Sequence, residues 1–235
     1  MTKHPFVVRV ATGNDLHYAD QITQEMETSA KARGTGIAKR TPAYIKAKML
    51  EGKAVIAVTK DASWVGFCYI EAWEHGRYVA NSGLIVSPEF RGSGVARAIK
   101  AEIFKLSRQK FPESKIFGLT TGLAVMKINS ALGYKPVTYS ELTTDEAFWA
   151  GCQSCVNYDI LQAKERKNCL CTGMLYDPAE EKVSAVRKAW LGGKASALLR
   201  RESRPFAAHL KLYERWMRFK QHLMLGGKKG QDSSF

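Results

Sequence analysis

Arg91, Gly92, Ser93, Gly94 and Ala96 lie within the stretch from Val86 to Lys100, which reads V-S-P-E-F-R-G-S-G-V-A-R-A-I-K. Their types and spacing suit the binding of a phosphate. Glycine lets a turn reach conformations closed to other residues and lets a ligand approach the backbone closely. Val95, Ala96, Ile99, Ile103 and Leu106 repeat at helical spacing, so a helix begins at the second glycine. Its first N–H groups and the positive end of its dipole point toward an anion held in the turn. The apolar run Ser82-Gly83-Leu84-Ile85-Val86 predicts the strand that delivers the chain to this turn. Pro88 ends that strand, because proline has no N–H to give to the ladder. Gly92-Ser93-Gly94 is followed by Val95-Ala96-Arg97, which fits neither the dinucleotide pattern nor the nucleoside-triphosphate loop.

Three further groups could take part in chemistry. Cys152-x2-Cys155 and Cys169-x-Cys171, thirteen residues apart, have the count and approximate spacing of a four-thiolate zinc site. The same spacing also fits four reduced thiols packed in a subdomain, while Cys68, between Phe67 and Tyr69, reads as a core residue. Glu71, Glu74 and His75 follow an apolar run and offer a general base or a solvated rim. Arg33, Lys39 and Arg40 border a glycine-containing link. Guanidinium groups there suit carboxylate recognition, and a solvated basic loop is the plain alternative.

The elements that must position these residues follow in order. Pro5–Thr12 predicts a strand, with Asn14 or Asp15 capping a helix that runs to about Lys31. Thr41-Pro42 opens a second helix to Glu51. Lys53–Thr59 and Trp64–Glu71 form a hairpin, and Tyr78–Val86 is the strand entering the phosphate turn. Val95–Lys110 is a helix, Lys115–Thr121 a strand, Leu123–Leu132 a helix ended by Gly133, and Tyr134–Tyr139 a strand.

The frame Arg91-x-x-Gly94-x-Ala96, with its strand and following helix, resembles the acyl-CoA pyrophosphate loop of the GNAT N-acetyltransferase superfamily, and the element order is similar to the GNAT fold. The resemblance implies an α/β (α+β) architecture with a splayed mixed sheet flanked by helices, in which the pantetheine arm lies in the gap. It covers about Pro5 to Asp177. Ile116–Thr121, Leu132–Val137 and the segment Phe148-Trp-Ala-Gly-Cys-Gln-Ser-Cys155 resemble parts of short bacterial N-acetylglutamate synthases. That likeness implies acetyl-CoA or succinyl-CoA as cosubstrate, L-glutamate as acceptor, and a place in arginine biosynthesis. It also implies that Leu84, Ile85, Val86, Arg91, Gly92, Ser93, Gly94, Val95, Ala96, Arg97 and Asn129 bind the cofactor, and that Arg33, Lys39 and Arg40 bind the acceptor. Glu71 is a candidate base. The family's usual acid is a Tyr at the position of Asn129, so either Tyr134, water or an unprotonated thiolate replaces it.

A net charge of +14 over 235 residues favours anionic partners. From Glu181 onward thirteen Lys or Arg face four acidic residues, so most of the excess lies beyond the presumed catalytic part. The expected organisation is a core over 1–140, a Cys-containing final segment over 141–178, a basic helical extension over 179–225 and a disordered tail over 226–235. Phe206, Leu210, Tyr213 and Met217 make an apolar stripe on the extension, suited to packing on the domain or in a homodimer. A basic amphipathic element for membrane or RNA is the sharper alternative. No run of about 20 apolar residues appears, and the expected compartment is cytoplasmic. Acetylation of a protein, peptide or polyamine, and a CoA-sensing or nucleic-acid-associated protein without turnover, are the competing functional classes.

Overall fold

The structure is a computed structural model that describes residues 5–34, 39–181 and Met217. The helices expected at 183–191 and 206–225, apart from Met217, and the tail at 226–235 lie outside the described residues. The described chain to residue 178 belongs to one compact unit built on a seven-stranded mixed sheet. Its elements are β1 Phe6–Val10, α1 Ala19–Arg33, α2 Pro42–Leu50, β2 Ala54–Thr59, β3 Trp64–Trp73, β4 Tyr78–Val86 and α3 Val95–Lys110. They continue as β5 Lys115–Thr120, α4 Leu123–Ala131, β6 Lys135–Val137, α5 Glu146–Ala150, α6 Tyr158–Ala163 and β7 Thr172–Tyr176.

The sheet order is β1-β2-β3-β4-β5-β7-β6. β2 is buried along its whole length and β3 along most of it, because both faces are covered, and their apolar runs read accordingly. One face carries α3, whose Ile99 packs against Gly66: a Cβ there would lie 2.7 Å from Ile99 Cδ1 and 2.9 Å from the Ile85 carbonyl oxygen, which as backbone cannot move aside cheaply, so glycine is required. The opposite face holds two apolar clusters. Ile22 and Met26 of α1, with Ile45 and Met49 of α2, pack on Ile56, Phe67 and Tyr69. Tyr139, Leu142, Trp149, Leu161 and Cys169 from the chain between β6 and β7 pack on Ala80, Phe117 and Leu175.

Local rules account for most element ends. Thr41 caps α2, its hydroxyl accepting from the Tyr44 N–H at 3.2 Å, with Pro42 in the first turn. Gly34 ends α1 in the left-handed conformation, φ +57°. Several elements differ from the sequence expectation. The start of the expected first helix, up to Tyr18, lies in a 3-10 segment, Gly13–Tyr18, before α1. The short helices α5 and α6 were not expected. β7 was not expected at all: its five residues are buried without alternation and contain a glycine, and its partners β5 and β6 lie far away in sequence.

Among the described strands β4 and β5 are the only parallel pair, joined from Tyr78–Ala80 to Lys115–Phe117 and no further. Beyond Ala80 the strands part, while β5 stays paired along Ile116–Thr120 with β7 on its other edge. β4 also slips register against β3, where Phe67 faces Ile85 and Tyr69 faces Ser82, so Gly83 and Leu84 bulge opposite Cys68. Gly83 takes φ +63°, and a Cβ there would stand 2.4 Å from the Tyr69 ring. The bulge is therefore restricted to glycine by both backbone and packing.

Candidate active site

The gap between β4 and β5 opens into a cavity of about 430 Å³, within the usual size range of small-molecule sites. Asn81, Ser82, Gly83 and Leu84 line it from β4, Gly118 to Gly122 from β5 and the following turn, and Val125 and Asn129 from α4. Arg40, Tyr69, Glu71 and Trp73 form one wall, while Phe148, Cys152, Cys155 and Cys171 form another. Lys100 of α3 completes the lining.

Glu71 and Arg40, predicted separately as base and acceptor ligand, are brought into direct contact. The Arg40 guanidinium donates to Glu71 Oε1 at 3.3 Å and, through Nε, to the Tyr69 hydroxyl at 2.9 Å. Tyr44 of α2 also donates its hydroxyl proton to Glu71 Oε1. Burial first, then the neighbouring carboxylate, push the Tyr44 phenol well above its ordinary range, so it stays a donor. Alternation along β3 places Phe67, Tyr69 and Glu71 on one face. Arg40 also donates to the Lys39 carbonyl at 3.2 Å, so three of its five N–H groups are engaged among the described residues and two are left for a ligand.

The other predicted residues divide. Asn129 is 2 % exposed, lines the cavity, and its Oδ1 has no hydrogen-bond partner among the described residues. Tyr134 does not reach the cavity lining. Its ring is buried against Phe104 and Tyr176, and its hydroxyl donates to Asn81 Oδ1 at 2.9 Å. Lys39 lies away from the cavity, exposed, with its ammonium 3.8 Å from Glu27. The Arg33 side chain and residues 35–38 lie outside the described residues. Leu84 faces the cavity, whereas Ile85 packs into the core and the Val86 carbonyl accepts from Arg91.

At the phosphate turn, Gly92 and Gly94 adopt φ +79° and +94°, and Gly94 is the cap from which α3 starts. Open space surrounds both α-carbons, so their requirement is conformational rather than one of crowding within the chain. No acidic residue occupies the first turn of α3, and Arg97 is exposed there beside the intermediate Ala96 and the buried Val95. Arg91 is tied down: it donates to Glu25 Oε1 and Ser29 Oγ, both at 2.7 Å, and to the Val86 carbonyl at 3.2 Å. It clamps the turn to α1, and Ser93 closes the turn by donating to the Phe90 carbonyl at 2.6 Å.

Of the two readings of the cysteines, the four-thiolate zinc site is not supported. Among the described residues no group of three or more His, Cys, Asp or Glu side chains is arranged to hold a metal ion. Cys169 Sγ donates to the Asn157 carbonyl at 3.7 Å, and Cys155 Sγ accepts the Asn157 N–H at 3.4 Å. Burial, with Cys155 and Cys169 nearby, pushes the Cys152 thiol up to about 11. A hydrogen bond with Cys169 and burial raise Cys171 further.

Lys100, Asn81, Tyr44, Tyr69 and Trp73 were not singled out from sequence. Lys100 carried a signal. It sits on the inner stripe of α3 with Ile99, Ile103 and Ser107, a lysine at a core position.

No protein-family model matches the sequence, and no curated protein matches it either. Solved structures do. N-acetylglutamate synthase from Neisseria gonorrhoeae, complexed with coenzyme A and N-acetyl-glutamate, aligns over 75% of this chain at TM-score 0.52 and 14% identity. This chain spans only 36% of that synthase's length. Rv2747 from Mycobacterium tuberculosis, in complex with CoA, aligns over 73% of this chain and 98% of its own at TM-score 0.51 and 20% identity. An acetyltransferase of the GNAT family from Staphylococcus aureus aligns over 74% and 99% of the two chains at TM-score 0.51 and 9% identity. With its parted β4 and β5, its bulged β4 and the glycine turn at the start of α3, this chain has the GNAT acetyltransferase fold.

Proposed function

We propose that the chain is an acyl-CoA-dependent N-acyltransferase whose acceptor is a small amine carrying a carboxylate, with L-glutamate as the first candidate. The observation that carries this reading is the cavity at the β4–β5 gap, which joins a bulged strand to a wall bearing a partly engaged arginine. The presence of CoA in the Neisseria and Mycobacterium structures supports the same cosubstrate here. Acetyl-CoA and succinyl-CoA are both candidate donors.

In this reading the diphosphate meets the glycine turn and the N-terminus of α3, where backbone N–H groups and the helix dipole favour an anion. Arg91 does not supply its charge directly but fixes the turn through Glu25 and Ser29. The thioester lies along the bulge at Gly83 and Leu84, whose backbone is out of register with β3 and is the candidate donor to the carbonyl oxygen. The acceptor carboxylate takes the two remaining N–H groups of Arg40. Glu71 receives a proton from the acceptor ammonium, directly or through water, and the amine attacks the carbonyl without an acyl-enzyme. A polycationic acceptor would bring like charge against Arg40 and Lys100, which disfavours polyamines.

The test is thiol release from acetyl-CoA and succinyl-CoA against amino acids, polyamines and peptides. Turnover with glutamate, lost in Arg40→Met, is the expected result. Turnover confined to amines without a carboxylate would overturn the acceptor assignment. CoA binding without turnover on any amine would overturn the enzyme reading.

A further inference from the structure

Lys100 is a buried amine with no carboxylate beside it among the described residues. It is 2 % exposed on α3, and its Nζ lies 3.4 Å from Asn81 Oδ1 and 5.2 Å from the centre of the Tyr134 ring. No carboxylate pairs with it among the described residues. The titratable groups that face it are Cys68 of β3 and Tyr134, which precedes β6. Such a charge is costly to bury unless something compensates it.

The surroundings fix where the ammonium points. Asn81 Nδ2 donates to Ser107 Oγ at 2.8 Å, and Ser107 donates onward to the Ile103 carbonyl at 2.7 Å. Ser107 must therefore accept from Asn81, which turns Asn81 Oδ1 toward Lys100 and Tyr134. Tyr134 spends its only proton on that oxygen, at 2.9 Å. Of the two proton carriers bonded to Asn81, only Lys100 lines the cavity, and it does so where β4 and β5 part. Asn129 Oδ1, buried and without a partner among the described residues, lines the same cavity and marks it as a place for a polar ligand.

We propose that Lys100 is a catalytic residue that donates a proton from its ammonium to the sulfur of the leaving CoA thiolate. The proposal rests on the N-acyltransferase reading above. As the acceptor nitrogen bonds to the acyl carbon, the C–S bond breaks and its electron pair goes to sulfur. Sulfur takes a proton from Lys100 Nζ, leaving a neutral amine. The acceptor ammonium loses two protons during amide formation; one restores Lys100 through water and the other leaves with Glu71 and solvent. Burial holds the Lys100 pKa below the ordinary lysine value, which eases the donation.

The experiment measures the ionisation of the CoA thiol when bound to the full chain, by thiolate absorbance against pH, in wild type and in Lys100→Met. It is paired with kcat and KM for acetyl-CoA and the best acceptor of the panel. A neighbouring ammonium is expected to make the bound thiol more acidic than free CoA, and Lys100→Met to abolish that shift. The variant's kcat is expected to fall about 100-fold with KM for acetyl-CoA nearly unchanged. A bound thiol in the wild type that ionises as in free CoA overturns the proposal even if the variant does not fold. So does a Lys100→Met kcat within about threefold of wild type, a loss smaller than acid catalysis supplies. Failure of the wild-type chain to bind CoA overturns the acyltransferase reading itself, and Lys100 with it.

Discussion

The two charged sides of the cavity are built differently. On the side of α2 and β3, Arg40, Glu71, Tyr44 and Tyr69 satisfy one another, with the side chain of Glu71 6 % exposed and that of Arg40 18 % exposed. On the side of α3, Lys100 has an amide oxygen and an aromatic face but, among the described residues, no anion. The first arrangement is stable without a ligand and presents a fixed shape. The second is incomplete without one. Binding and deprotonating the acceptor suit the compensated side, and protonating the leaving group suits the uncompensated one, because a preorganised charge acts most strongly where water is excluded.

Removing one member of the compensated side gives the largest expected effect. Glu71→Ala leaves the half-buried Arg40 without its carboxylate, and is expected to lower stability by about 3 kcal/mol in denaturant unfolding. Replacing both partners by apolar residues, Arg40→Met with Glu71→Leu, is expected to recover much of that loss. A double variant no more stable than Glu71→Ala alone would mean that the pair is not a closed electrostatic unit.

Next in size is the bulge that separates the two sides. Gly83→Ala forces a left-handed conformation, costing about 1–3 kcal/mol, and pushes on the Tyr69 ring, which adds to the loss. Because Tyr69 holds Arg40, turnover should fall more than the stability change alone accounts for. Unchanged unfolding would refute the bulge geometry.

Gly94→Trp addresses the proposed diphosphate site, away from both charged sides. It is expected to weaken CoA binding about tenfold by calorimetry, near 1.4 kcal/mol, which is within the range of a helix-terminus contact. A folded variant with wild-type affinity would remove the turn from the site.

The smallest effect is the dependence of stability on pH from Lys100. Its folded pKa is lowered by burial, so between that value and the ordinary 10.5 the unfolded chain binds more protons. Stability from this group therefore rises with pH across that window and is lowest below it. Lys100→Met is expected to be more stable than wild type at neutral pH by on the order of 1 kcal/mol. That advantage should shrink as pH approaches 10.5. A constant difference would show that Lys100 is compensated after all.

What could be read from sequence was whatever depends on neighbours in the chain. The spans of β4 and α3, the Thr41-Pro42 start of α2 and the positive-φ glycines at 92 and 94 follow from periodicity, capping and turn chemistry. Arg40, Glu71 and Asn129 were legible as candidates because their residue types suit the chemistry. That Arg40 and Glu71 touch was not legible, since 31 positions separate them. Lys100 was hidden for another reason: a lysine on a helix ordinarily sends its charge to water, and only the surrounding β3, β4 and Tyr134 deny it that route.

Cys152, Cys155, Cys169 and Cys171 mark the boundary. Their spacing suggested a metal, but spacing fixes only which thiols can meet, not how they point. Burial and the Asn157 backbone decided the latter. The sequence by itself determined the order of elements from β1 to β6 and the turn at the start of α3, because those are set by backbone preferences within a few residues. The tertiary structure alone decided which charges face each other across the cavity, because that depends on β4 leaving β5 and on β7 entering the sheet between β5 and β6.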